Sequence, residues 1–485
     1  MPARARLHAS HVGLVGLLAL AGATFVGPHP LDRGAPHVLL ITIDTVRADH
    51  CSVYGYARPT TPVLEEIARD GVVFDDAYAP MATTAPAHAS LFTGLAPARH
   101  GIVKNGLVLP ARFETLAEHL TSAGYDTAAV VSSFAVHGKF GFRQGFATYD
   151  DRFDSEPNLP RWQWEGFVRQ GAFDRDARLT TFRGVHWLRS ERDRRAPFFL
   201  WVHYFDPHHP HDPPAPYDRL FASEETQESV AGELATTVAR YDAEIRETDD
   251  AIGVLLAELD AQQLRASTLV VVAGDHGEGL MDHDWMHHGL HLYEEAIRVP
   301  LVARWPGHLP AGQRLAGPVQ LADLAPTILE LAGAGGAAPI NQRPPSPTVP
   351  TAGTASATTR DPTAAVSLVS AMAGTTTLDP ARPMFFQRRR YDEERRRDIE
   401  VHGEKHAVRV GPWKYIEAPA EHTYELYDLA HDPGETRNLA ASEPARTQRL
   451  ATDLAAWRKL HTQTDRSTGV PDPDAARLRA LGYVD

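Results

Sequence analysis

His37–Ile43 (HVLLITI) is an unbroken apolar run, rich in β-branched residues, that stops on Asp44. A run of this length with no polar alternation predicts a strand buried on both faces, the central-strand pattern of a parallel sheet. Phe198–Tyr204 and Thr268–Ala273 repeat it. Elsewhere the period changes. Thr61–Asp70 and Tyr241–Leu259 space their apolar residues at helical intervals, and Gly71 closes the first of these helices. Strands alternating with helices predict an α/β fold, a mostly parallel sheet flanked by helices, over residues 36–333.

The pattern then breaks. Gly333–Thr377 is rich in Ala, Pro, Thr and Ser and too poor in large apolar residues to order itself, so 334–378 reads as a loop or linker. Beyond it, 379–485 reads as a smaller C-terminal subdomain. Ala407–Ile416 and Tyr424–Leu429 predict strands of an antiparallel sheet, and Arg446–Leu460 a closing helix with Leu450, Leu454 and Trp457 on one face. Gln387–Asp398 holds six arginines against four acids and reads as a solvated surface segment. Phe153–Arg183, with Trp162, Trp164 and Phe167, supplies aromatics either to a substrate pocket or to the core.

At the other end, Arg4 and Arg6 precede the apolar run Val12–Val26, with Ala21-Gly22-Ala23 as a small-residue cleavage site. That order marks residues 1–30 as a secretory signal peptide, and the run is shorter than the ~20 residues a spanning helix needs. Export to a periplasmic or extracellular space follows; left uncleaved, the segment would anchor the chain at a membrane. Net charge is −14, which argues against nucleic acid as a partner, since neutralising phosphates takes surplus Lys and Arg. The lone Cys51 excludes an internal disulfide framework and cysteine-rich metal sites. With 25 histidines to one cysteine, any metal here is held by His and carboxylates.

Candidate chemistry collects where predicted strands end. Ligands of open α/β sheets sit beyond the carboxyl ends of the strands. Asp44 follows the first strand, and Asp275 and His276 follow TLVVVAG. Two carboxylates and an imidazole converging from separate strand ends would make a divalent metal site. Gly277 would permit a tight turn beside the ligands. In Thr83–Gly94 (TTAPAHASLFTG), small residues and a proline precede a run able to start a helix around Ala87, placing Thr84 near a helix N-terminus that favours an anion. A threonine hydroxyl becomes a useful nucleophile only when a metal or base activates it.

These residues resemble the sulfatase family of the alkaline phosphatase superfamily. The family signature C/S-x-P-S-R-x-x-L-x-T-G is similar to TAPAHASLFTG here, and its metal motifs resemble ITIDTVRADHCSVYGY (Ile41–Tyr56) and AGDHGEGLMDH (Ala273–His283). VHYFDPHHP, YDAEIRETDDAIG, DLAPTILELAG and ELYDLAHDPGETRNLA extend the likeness over roughly 36–440 in the family's order. The resemblance implies an alkaline-phosphatase-like sheet. The departures carry as much meaning. Thr84 stands where the family oxidises Cys or Ser to formylglycine, so no formylglycine is expected. His88 replaces the family's Arg, Thr45 its second Asp, and VSSF (Val131–Phe134) its G-K-W-H.

The set that remains, Asp44, Thr84, Asp275 and His276, resembles superfamily members with a threonine nucleophile: phosphodiesterases, lipoteichoic-acid synthases and phosphoethanolamine transferases. An imidazole among the carboxylates favours one manganese or zinc ion over calcium, which prefers oxygen ligands, though calcium stays open. By resemblance, His88, Asn105 and His208 would neutralise charge on the substrate, and His288 would protonate the leaving group. His283, His287 and His291 are less readily assigned; some of them could hold a second metal.

Three functions remain open on this reading. The first is a metal-dependent hydrolase of sulfate esters, or of chemically similar phosphate or phosphonate esters, on a small molecule or a glycan. The second is a phosphodiesterase or phospho-group transferase using the same site. The third is a binding protein that kept the fold and lost turnover.

Overall fold

The computed structural model describes residues 34–153, 163–164, 167–168, 174–222, 230–335, 341, 364–396 and 399–461. The expected signal segment 1–30, much of the expected linker, and the side chains of Trp162, Trp164 and Phe167 lie outside the described residues.

Fifteen strands are described: β1 (His37–Ile43), β2 (Val72–Tyr78), β3 (Asp126–Val131), β4 (Thr148–Asp150), β5 (Gln163–Trp164), β6 (Phe167–Val168), β7 (Phe198–Tyr204), β8 (Thr268–Gly274), β9 (Arg298–Val299), β10 (Leu301–Arg304), β11 (Gln313–Gln320), β12 (Met384–Arg396), β13 (Ile399–Val410), β14 (Trp413–Ala418) and β15 (Thr423–Asp428). Helices are α1 (Pro62–Arg69), α2 (Thr84–Thr93), α3 (Pro97–His100), α4 (Leu116–Ser122), α5 (Ala177–His186), α6 (Val230–Ala261), α7 (Glu294–Ile297), α8 (Leu324–Leu331), α9 (Val369–Met372) and α10 (Pro444–His461).

The main sheet has nine strands in the order β11-β2-β10-β8-β1-β7-β3-β4, with β9 paired to β2. β8, β1, β7, β3 and β4 are mutually parallel, and β10 runs antiparallel between β8 and β2. The mostly parallel architecture expected from the buried apolar runs is present. β1 shows why its sequence lacks polar alternation: Val38 and Leu40 enter one hydrophobic core, Leu39, Ile41 and Ile43 the other. α2, α4 and α8 cover the first face; α1, α5 and α6 cover the second.

The smaller antiparallel sheet is also present, in the order β12-β13-β14-β15. One detail differs from the sequence reading. Ala407–Ile416 is not one strand: Gly411, at φ 60°, turns the chain between β13 and β14. Part of the expected linker is ordered as well. Val366 N–H donates to Asp323 Oδ1, Leu368 N–H donates to Thr327 Oγ1, and Leu368, Ala371 and Met372 join the main core. Sparse apolar residues suffice there because an existing core receives them.

The described residues from Ala35 onward form one compact unit, with the small sheet docked against the main one. Met384, Phe386, Ala407, Ile416 and Tyr427 pack on Tyr78, Leu292, Ala296 and Ile297. Within this contact Lys414 Nζ, fully buried, lies 3.1 Å from Glu294 Oε1 and 2.9 Å from Glu435 Oε1. A buried charge left without its partner is costly, whereas replacing the whole set by neutral groups is far less so. Lys414→Met should therefore destabilise the chain by about 3–5 kcal/mol. Adding Glu294→Gln and Glu435→Gln should recover most of that loss. Urea unfolding of the three chains measures both.

Candidate metal centre

The parallel pairing brings the first two carboxylates together. β1 and β8 are neighbours in register, Ile43 opposite Gly274, so Asp44 and Asp275 leave the sheet side by side. Each is pinned by backbone: Asp44 N–H donates to Tyr204 O at 2.9 Å, and Asp275 N–H to Ile43 O at 3.1 Å. His276 follows at once, its N–H donating to Asp275 Oδ1 at 2.7 Å. Gly277 is needed for close approach, since a Cβ there would sit 1.9 Å from Glu295 O. Its φ is not in the left-handed region, so space and not turn geometry requires the glycine.

α2 delivers the hydroxyl. It begins at Thr84, a turn earlier than the sequence suggested, and every one of its residues is buried. A helix buried all round has no polar face to mark it in sequence. Thr84 Oγ1 caps nothing; it lies 3.4 Å from Asp44 Oδ2 and 3.3 Å from His276 Nε2. One ligand atom each from Asp44, Asp275 and His276 lie within 4.8 Å of one another, all buried.

Electrostatics make this cluster incomplete as it stands. Burial raises the Asp275 carboxyl well above the usual range, and the neighbouring Asp44 charge adds to it. Burial opposes ionisation of Asp44 too, but the His203 ring beside it outweighs that and holds the carboxyl low. Burial pulls His276 down to about 3, leaving a neutral ring with a lone pair to offer. Asp44 Oδ1 and Asp275 Oδ2 are buried without a hydrogen-bond partner. Orphaned carboxylate oxygens beside a neutral imidazole are what a divalent cation would complete, so the donor set fits a metal.

The remaining expected residues surround this cluster unequally. The His288 ring lies 4.5 Å from that of His276 and 5.1 Å from that of His208. His288 Nδ1 is 3.3 Å from Glu278 Oε2; burial disfavours its cation, yet the Glu278 charge wins and raises its pKa. His208 stacks on Phe205 and is held neutral, chiefly by burial. Asn105 Oδ1 accepts the Ala85 N–H at 2.8 Å, which turns the donor end of its amide away from that bond.

His88 departs from its expected role. Its Nδ1 lies 2.8 Å from Thr84 O and its Nε2 3.0 Å from Thr42 Oγ1, in a fully buried ring. With both nitrogens engaged inside the protein, it has none to offer a substrate. Helical side chains lean back over the preceding turn, which lands this ring on the carbonyl of Thr84. Of the histidines left over, His283 is taken by Glu295 and stacks on Tyr293. His287 meets His209 edge-on, and His291 lies beside Tyr293. Among the described residues these rings form no second group of metal-ligand atoms as close as the first.

Sequence reading missed several participants. Thr45 takes a left-handed backbone (φ 51°), uncommon for a β-branched residue, and its N–H thereby reaches Asp275 Oδ1 at 3.2 Å. Glu278, Thr42 and His203 were also missed. The last two sit inside strands whose apolar neighbours dominate the pattern; the polar interruptions of HVLLITI and FFLWVHY were the available signal.

A family model described as Sulfatase matches residues 36–334. The mouse N-acetylgalactosamine-6-sulfatase is 28% identical over 364 residues, covering 66% of this chain and 65% of its own. This chain thus spans a little under two thirds of that relative. A multifunctional alkaline phosphatase superfamily protein of Trinickia caryophylli is 28% identical, over 61% of this chain and 74% of its own. Among solved structures, the phosphonate monoester hydrolase of Agrobacterium radiobacter superposes with a TM-score of 0.68 at 23% identity, over 88% of this chain and 96% of that one. That last likeness concerns the fold.

The geometry generates a metal prediction. Dialysed against manganese or zinc, the chain should retain one ion, read by elemental analysis, and Asp275→Asn should lose it. Saturating metal should raise the thermal midpoint of the native chain, since a ligand at 100 times its Kd stabilises by about 2.7 kcal/mol. The midpoint of Asp275→Asn should not move.

Proposed function

The chain belongs to the sulfatase family, and from that premise we propose that it is a metal-dependent ester hydrolase whose Thr84 hydroxyl attacks a tetrahedral sulfur or phosphorus centre. The observation that carries this reading is the placement of Thr84 Oγ1, buried at the head of α2, within 3.4 Å of Asp44 and 3.3 Å of His276. Asp44, Asp275 and His276 would hold the ion, manganese or zinc ahead of calcium. When bound, it supplies a Lewis acid that lowers the hydroxyl's pKa and polarises the ester.

The protein's own groups account for the rest. Thr84 Oγ, its hydroxyl proton released to water, bonds to sulfur or phosphorus as the alkoxide. The bond from that atom to the leaving oxygen breaks, and His288, protonated beside Glu278, gives that oxygen its proton. This leaves a covalent Thr84 ester. Water then attacks the same centre, His288 takes the water's proton, and Thr84 leaves as the alkoxide that made the first attack. His208 and the amide of Asn105 bind the remaining oxygens of the ester.

Sulfate esters stand first because the scaffold is that of a sulfatase. The second reading is a phosphodiester or phosphonate ester, and Thr84 itself favours it. Formylglycine hydrate can expel sulfate by collapsing to an aldehyde; an alkyl threonine ester cannot. Both half-reactions must then be direct displacements, which phosphorus tolerates well. A small-molecule or glycan ester fits either reading, and the N-terminal segment supports export.

Assays with manganese, zinc or calcium on nitrophenyl sulfate, a nitrophenyl phosphodiester and a nitrophenyl phosphonate ester separate these readings. Thr84→Ala should lower kcat by about a thousandfold or more on whichever ester is preferred. Activity that survives it would remove Thr84 as nucleophile, and an inert, metal-loaded native chain would point to a binding protein. His288→Ala should cost about 10²–10⁴ in kcat on an alkyl ester; on nitrophenyl esters, whose leaving group needs no proton, formation of the Thr84 ester should be spared and its hydrolysis slowed, read as a burst of nitrophenol followed by slow turnover.

A further inference from the structure

Behind the carboxylates lies a polar cluster with no exposure to solvent. Thr42, His88, Trp201 and His203 are each 0% exposed. Thr42 Oγ1 is their common point: Trp201 Nε1 donates to it at 2.9 Å, His88 Nε2 lies at 3.0 Å and His203 Nδ1 at 3.1 Å. The far side of each imidazole faces the metal centre. His203 Nε2 is 3.6 Å from Asp44 Oδ2, and His88 Nδ1 is 3.6 Å from Asp275 Oδ2 and 2.8 Å from Thr84 O. His203 is itself held at its carbonyl by the Ser132 hydroxyl.

We propose that Thr42 is a positioning residue: its hydroxyl fixes the two imidazoles that set Asp44, Asp275 and the first turn of α2 relative to one another. This rests on the reading of Thr84 as nucleophile and of the two aspartates as metal ligands. The argument is one of valence. A threonine hydroxyl has one proton and two lone pairs. The indole N–H can only donate, so it takes one lone pair. The hydroxyl therefore donates to one imidazole and accepts from the other. The two rings are thus held in different states at Thr42, and neither can flip without breaking that arrangement.

Three elements meet at this one oxygen. Thr42 is on β1, His203 on β7 and His88 on α2. β1 leads into Asp44, α2 carries the hydroxyl that must reach it, and Asp275, which follows β8, is met by His88 Nδ1. Groups of this kind behind metal ligands typically contribute 10–100-fold in metal affinity.

Chelator competition on the full chain tests the proposal without turnover. Thr42→Val, which keeps the shape and removes the hydroxyl, should weaken manganese and zinc binding by about 10- to 100-fold. Thr42→Ser should restore the native affinity. In the assays above, Thr42→Val should lower kcat with little change in KM. Native affinity in Thr42→Val would overturn the proposal. Should that variant fail to fold, imidazole ¹⁵N spectra of the native chain decide. One of the two nitrogens facing Thr42 should bear a proton and the other none; the same state at both would overturn the hub. Those spectra need no metal and no activity. A native chain that binds no ion, or a Thr84→Ala chain that still turns over, would instead sink the functional reading and leave the hub to be judged by the spectra.

Discussion

Two carboxylates share a site buried from the surface, and the rest of the catalytic half is arranged around that fact. Asp44 and Asp275 leave adjacent parallel strands in register and end with one oxygen each unpartnered and buried. Like charges this close in a low-dielectric interior oppose each other's ionisation, which is why Asp275 is pushed up while Asp44, ringed by imidazoles, is held down. Such a pair is tolerable only with compensation. The Thr45 and His276 N–H groups supply part of it by donating to Asp275 Oδ1. A divalent cation would supply the remainder, which makes the candidate site and the strand register one constraint.

That constraint explains which features were legible in sequence. Strand ends are easy to read when a buried run stops on a charged residue, as HVLLITI does on Asp44 and TLVVVAG on Asp275-His276. Central strands have no polar face, so their boundaries are sharp. Strands at or next to the sheet's margin were harder. β2 (VVFDDAY) and β11 (QRLAGPVQ) mix polar residues into their runs because they lie toward the margin of the sheet, where burial is incomplete. α2 gave a weak signal for the opposite reason: full burial removes the amphipathic stripe by which a helix is recognised.

The misassignment of His88 has a different cause. Its position matches a family residue that meets substrate, but position along the chain does not say which way a ring points. Arg at that place could extend past the helix. The shorter imidazole, in a helix buried on every side, folds back onto the Thr84 carbonyl and Thr42. On the proposed function, charge neutralisation would then fall to His208 and Asn105, with His288 5.1 Å from the His208 ring. His203 and Thr42 escaped notice because isolated polar residues inside apolar strands read as background until their partners are seen.

The replacement at Thr84 ties these points to chemistry. A formylglycine hydrate offers two hydroxyls, one to attack and one to expel the product by collapse. On the proposed function, a threonine's single oxygen would serve as nucleophile in one half-reaction and leaving group in the next. Its surroundings must therefore stabilise the same oxygen as an anion twice. Burial at a helix N-terminus, contact with both Asp44 and His276, and a carbonyl anchored through His88 would hold that oxygen in one place through both proposed steps. A site built to hold one oxygen still is suited to two successive in-line displacements at a single tetrahedral centre. It has no use for the aldehyde chemistry that formylglycine would bring.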